Sequence, residues 1–112
     1  MLNILNVPNL KNIGGTLSLV GQKNVSENNF PKLETIGGDI HLALSGFTKL
    51  PDNLVSIEGD VFIIKEPETL VKSCLDKKKT GIIKGNIYLV GGNITTSEDG
   101  KIDYAEKVKL NN

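Results

Sequence analysis

Ile36-Gly37-Gly38-Asp39-Ile40-His41-Leu42 has three counterparts in the chain, each aligning without an internal gap. They are Ile13-Gly14-Gly15-Thr16-Leu17-Ser18-Leu19, Ile57-Glu58-Gly59-Asp60-Val61-Phe62-Ile63 and Ile83-Lys84-Gly85-Asn86-Ile87-Tyr88-Leu89. Each opens on Ile, has Gly two residues later, and then alternates apolar positions. The isoleucines are spaced by 23, 21 and 26 residues. Such a period, with one alternating segment per unit, is the mark of a repeat in which each unit adds a strand to a shared sheet. Alternation after the glycine is the pattern of a half-buried strand, with Leu17 and Leu19 turned inward and Ser18 outward. The glycine suits either a bend of positive φ or a backbone packed tightly against the next unit.

Working outward, Leu10, Leu33 and Leu54 each precede the Ile by three residues, and Pro8, Pro31 and Pro51 stand just before them. Proline there suits a loop with no sheet hydrogen bond to lose. The fourth unit departs from this, with Thr80 in the leucine slot. Between the third and fourth units, residues 67–79 read as a helical insert. Pro67 falls in its first turn, acids stand at its start, and Lys77, Lys78 and Lys79 at its end match the helix dipole. Leu70, Val71, Cys74 and Leu75 share one face of that helix. Gly81 is a natural stop, and the lysine run reads as a solvated helix end rather than a basic patch.

From Asn93 the chain reads as two short apolar runs around Asp99-Gly100, a hairpin signal. The expected architecture is therefore mainly β. It is a short right-handed parallel β-solenoid of about four coils, with one α-helix between coils three and four and a C-terminal hairpin cap. Residues 1–112 form one domain: an N-terminal cap at 1–6, repeats at 7–92 with the insert at 67–79, and a C-terminal cap at 93–112. Caps are needed because an open strand edge invites aggregation.

The pattern Leu-x-x-Ile-x-Gly-x-Leu-x-Leu, best seen from Phe30 to Leu42, resembles the leucine-rich repeats of receptor L domains. Leu50-Pro51-Asp52-Asn53-Leu54 is similar to the units of short, cysteine-poor bacterial and phage repeat proteins. The resemblance spans residues 7–64, and more faintly 83–90. It implies a repeat fold that binds through its sheet surface, and no particular chemistry.

Composition narrows the partners. Thirteen basic and thirteen acidic residues cancel. Nucleic-acid binding is not expected, because phosphate neutralisation needs a basic excess. No apolar stretch reaches the ~18–20 residues that span a bilayer, and the N-terminus lacks the basic and apolar regions of a signal peptide. The expectation is a cytoplasmic protein, in the host cytoplasm if phage-encoded, with no membrane partner. The single cysteine, Cys74, agrees with a reducing compartment. Asn24-Val25-Ser26 and Asn93-Ile94-Thr95 match a glycosylation triplet by chance.

Stacked units place equivalent residues in columns. The outward column reads Ser18, His41, Phe62 and Tyr88; the next reads Val20, Ala43, Ile64 and Val90. Aromatic and aliphatic residues on one sheet make a strip of the kind used in interfaces. Ser18, His41, Phe62, Tyr88, Val20, Ile64 and Val90 are the expected partner-binding residues. Cover by another part of the same chain is the competing reading.

The column Thr16, Asp39, Asp60, Asn86 holds two carboxylates, which suits hydrogen bonding to the backbone at the bend better than a metal. His41 and Cys74 fall on different elements, which argues against a nucleophile pair. Ser18 on a regular strand is poorly placed for hydrolase chemistry. Gly14-Gly15, Gly37-Gly38 and Gly91-Gly92 lack the spacing of phosphate loops. The sequence thus points to a non-catalytic protein-protein interaction module without cofactors, an intracellular adaptor or inhibitor of bacterial or phage type. The alternatives are a self-assembling homo-oligomer subunit and a carbohydrate-binding β-helix, the latter disfavoured by few aromatics and acids.

Overall fold

The structure, a computed structural model, describes residues 7–91 and 107–110. Each of the first three repeats contributes two very short strands on either side of its glycine bend. β1 (Asn12–Ile13), β3 (Thr35–Ile36) and β5 (Ser56–Ile57) form a three-stranded sheet. β2 (Leu17–Ser18), β4 (Ile40–His41), β6 (Val61–Ile63), β7 (Ile87–Val90) and β8 (Lys107–Leu110) form a five-stranded sheet in that order. All neighbours are parallel except β7 and β8, which are antiparallel.

The solenoid expectation is corrected by this topology. The chain forms two sheets and one helix, and the larger sheet is mixed rather than wholly parallel. Two departures cause this. In the fourth repeat the first strand is reduced to a single bridge between Ile57 and Ile83, because the amides of Ile82 and Ile83 turn back to the Lys77 carbonyl at the helix end. Beyond Val90 the next described strand, β8, then meets β7 in the opposite sense, and the parallel run stops. The N-terminal cap expected at 1–6 and the hairpin turn at Asp99-Gly100 lie outside the described residues.

Register is set by the apolar alternation, since a slip of one residue would turn every side chain to the other face. Leu17 pairs with Ile40, Ile40 with Val61, and Val61 with Ile87. Ile13, Ile36 and Ile57 align in the smaller sheet. These columns meet Leu33, Leu54, Val25, Phe30, Phe47 and Leu50 in one core. Phe30 and Phe47 lie with ring centroids 6.0 Å apart.

The bend glycines resolve the choice left by the sequence. Only Gly21 and Gly81 have positive φ among the glycines described. A Cβ on Gly38, Gly59 or Gly85 would instead collide with the repeat before it, at the Thr16 hydroxyl and Gly15 backbone, the Asp39 carboxylate and Gly38 carbonyl, and the Gly59 carbonyl respectively. Close approach of backbones requires these three glycines, not left-handed geometry.

The helix α1 runs Glu68–Lys79, with Pro67 at its N-cap and Gly81, at φ 85°, ending the turn that follows. Leu70 and Cys74 are buried in the main core, and Val71 and Leu75 pack half-buried against it. Lys78 does more than sit at a solvated end: its ammonium donates to the Gly85 carbonyl. Among the described residues no helix is long and apolar enough to cross a membrane.

Candidate functional site

Because strand side chains alternate, the residues between the core positions of the larger sheet point to its outer face. Pairing places Ser18 beside His41, His41 beside Phe62, and Phe62 beside Tyr88. The His41 and Phe62 rings meet edge to face at 4.6 Å, and Phe62 stacks on Tyr88 at 5.2 Å. Both are favoured aromatic arrangements. The Lys107 ammonium lies 5.2 Å from the Phe62 ring centroid, within cation–π range.

Ala43, Phe62 and Val90 form a second buried apolar cluster, against which Val20, Ile64 and Tyr88 pack half-buried. All seven expected binding residues therefore lie on one face. That face is not an open strip, however. His41 is 2% exposed, Phe62 8% and Val90 5%, so these three are covered rather than presented to solvent. Only Ser18, Val20, Ile64 and Tyr88 keep partial exposure. At the β7–β8 end a small cavity of about 220 Å³ is lined by Lys65, Leu89, Val90, Gly91 and Val108, and Val108 is 53% exposed. Sequence reasoning missed Lys107, which reaches Phe62 through a strand reversal that periodicity does not encode; Val108 pairs with Leu89 and so belongs to the opposite side of the sheet.

The polar column has a specific structural use. The Asp39 carboxylate accepts from the Asp60 amide at 2.7 Å, and the Asp60 carboxylate from the Asn86 amide at 2.7 Å. Each carboxylate is thus aimed at the backbone of the following repeat, where an acceptor is needed. Among the described residues no group of three His, Cys, Asp or Glu side chains is gathered for a metal.

His41 sits on the outer face of the sheet, whereas Cys74 lies in the main core under the helix. The two are not brought together as a reactive pair. Burial pushes the Cys74 thiol up to about 12, with Lys77 pulling weakly the other way, which leaves it protonated and inert at neutral pH. Burial also raises the Glu27 carboxyl, but hydrogen bonds from the Thr48 hydroxyl and amide outweigh this and hold it below its ordinary value.

An open concavity of about 630 Å³ lies between the 48–49 loop and α1. Two of its lysines are already paired: Lys49 with Asp52 at 3.1 Å and Lys72 with Asp76 at 3.7 Å. Both pairs are exposed and contribute little. The outer face of the larger sheet remains the better candidate surface. Comparisons of the chain with protein-family models, with curated proteins and with solved structures each return no match.

Proposed function

We propose that this chain is a non-catalytic, cytoplasmic module that binds a protein partner on the outer face of its five-stranded sheet. The partner docks against the half-buried rim of Val20, Ile64 and Tyr88, with His41 and Phe62 holding the rim from beneath. What supports the reading is the second apolar cluster: a soluble chain keeps an apolar, aromatic patch apart from its core chiefly where something binds. Aromatic anchors ringed by aliphatic groups are the residues that dominate binding energies.

The test is co-purification with the parent chain and with the double variant Val20→Asp, Ile64→Asp, whose altered side chains keep contact with solvent. The proposal expects a partner that is retained by the parent and bound at least tenfold more weakly by the variant, with thermal unfolding unchanged. A partner held equally by both, or the absence of any stoichiometric partner, overturns it.

A further inference from the structure

Three consecutive amides of each repeat after the first are answered by the repeat before it, in the same way each time. The first donates to an isoleucine carbonyl: Gly37 to Ile13 at 2.7 Å, Glu58 to Ile36 at 2.9 Å, Lys84 to Ile57 at 2.8 Å. The second donates to a glycine carbonyl: Gly38 to Gly15, Gly59 to Gly38, Gly85 to Gly59, all at 3.0 Å. The third donates to a side chain: Asp39 to the Thr16 hydroxyl at 3.2 Å, Asp60 to Asp39 and Asn86 to Asp60 at 2.7 Å. The carboxylate bonds are the shorter ones, as expected for a charged acceptor.

The first repeat carries the same three amides on Gly14, Gly15 and Thr16. All three residues are exposed, and none of their amides has an acceptor among the described residues. Two further observations mark this edge. A Cβ on Gly14 or Gly15 would meet none of the described residues within 4 Å, and neither residue has positive φ, so nothing described within the chain calls for glycine there. At Gly38, Gly59 and Gly85, the equivalents of Gly15 in the later repeats, glycine is what lets the preceding repeat approach. Ile13 and Leu17 are also only half-buried, whereas Ile36, Ile57, Ile40, Val61 and Ile87 are 0% exposed.

We propose that the Gly14–Thr16 edge binds an extended peptide running parallel to the chain, with an apolar residue followed three positions later by aspartate. The peptide would offer two backbone carbonyls to Gly14 and Gly15, its carboxylate to the Thr16 amide, and its apolar side chain to Ile13 and Leu17. This is strand addition, and an unpaired edge is its template. The occupant is a foreign peptide rather than a second copy. At the other end of the chain the Gly85 carbonyl is taken by Lys78, and β8 covers β7. The docking site lies at a sheet edge, apart from the outer face, and stands or falls independently of it.

The probe is the blocked peptide Ile-Gly-Gly-Asp-Ile-His-Leu, copied from residues 36–42, titrated into the ¹⁵N-labelled chain. The expected result is saturable shifts of the Gly14, Gly15 and Thr16 amides. Alanine in place of the peptide aspartate weakens binding about tenfold or more, as for a charged hydrogen bond. Gly15→Val removes binding while thermal unfolding stays unchanged, because its side chain meets open space. No shift of these amides at millimolar peptide overturns the proposal. So do equal affinity of the alanine peptide and reproduction of the shifts by acetate alone, which would mark a simple anion site.

Discussion

A single methyl group separates the two kinds of glycine in this chain. At Gly59 it would overlap the Gly38 carbonyl and the Asp39 carboxylate, whereas at Gly15 it would meet nothing described. Gly59→Ala is therefore expected to destabilise by about 1–3 kcal/mol, the range for overpacking. Gly15→Ala is expected to be neutral or stabilising by up to about 1 kcal/mol through the unfolded state. Denaturant unfolding of the two variants checks the contrast. Cys74, with its thiol raised to about 12 by burial, should resist alkylation in the native state and react fully in denaturant; labelling at native rates equal to the unfolded chain would count against its placement. Glu27 titrates in the opposite sense. Its carboxyl is held below its ordinary 4.5, so its stabilising effect is full above that pH and is lost as pH falls through the lowered folded value. Thr48→Val removes the hydroxyl donor, and NMR titration of Glu27 should then move its midpoint upward.

The elements divide into those that local pattern could specify and those that it could not. The glycine spacing and the alternation after it were enough to align Leu17, Ile40, Val61 and Ile87, because close backbone packing leaves a fixed signature at a fixed position. The helix was equally legible from Pro67, its apolar face and its terminal lysines. Leu70→Ala, which empties a fully packed site between α1 and the core, should cost about 2–5 kcal/mol by equilibrium unfolding. Other features depended on contacts distant in sequence. Lys78 looked like one of three solvated lysines, yet it reaches the Gly85 carbonyl only because the chain turns back at Gly81. The loss of a first strand in the fourth repeat follows from the same turn. The antiparallel pairing of β8 reverses a direction that no periodicity in 107–110 announces.

At the scale of the whole molecule, the repeats generate two opposite outcomes from one alternation. Inward positions merge into a continuous core; outward positions of the larger sheet gather a smaller apolar cluster. The candidate surface was legible as a column of residues, because register follows from the repeat. Its degree of burial was not, because exposure is decided by whatever lies over a strand rather than by the strand itself. His41 at 2% exposed and Phe62 at 8% are the cases in point. Their placement moves the proposed contact to Val20, Ile64 and Tyr88, while the ring column beneath keeps that rim in shape.

All of this requires the segments after each Ile-x-Gly to lie side by side in parallel, with the rings of three repeats in one row. A nuclear Overhauser spectrum of the folded chain reads that row directly, since His41–Phe62 and Phe62–Tyr88 centroids are 4.6 and 5.2 Å apart. Cross-peaks from the Phe62 ring protons to both the His41 and Tyr88 rings are the expected result. A Phe62 ring in contact with neither would contradict the register, and with it the outer-face cluster.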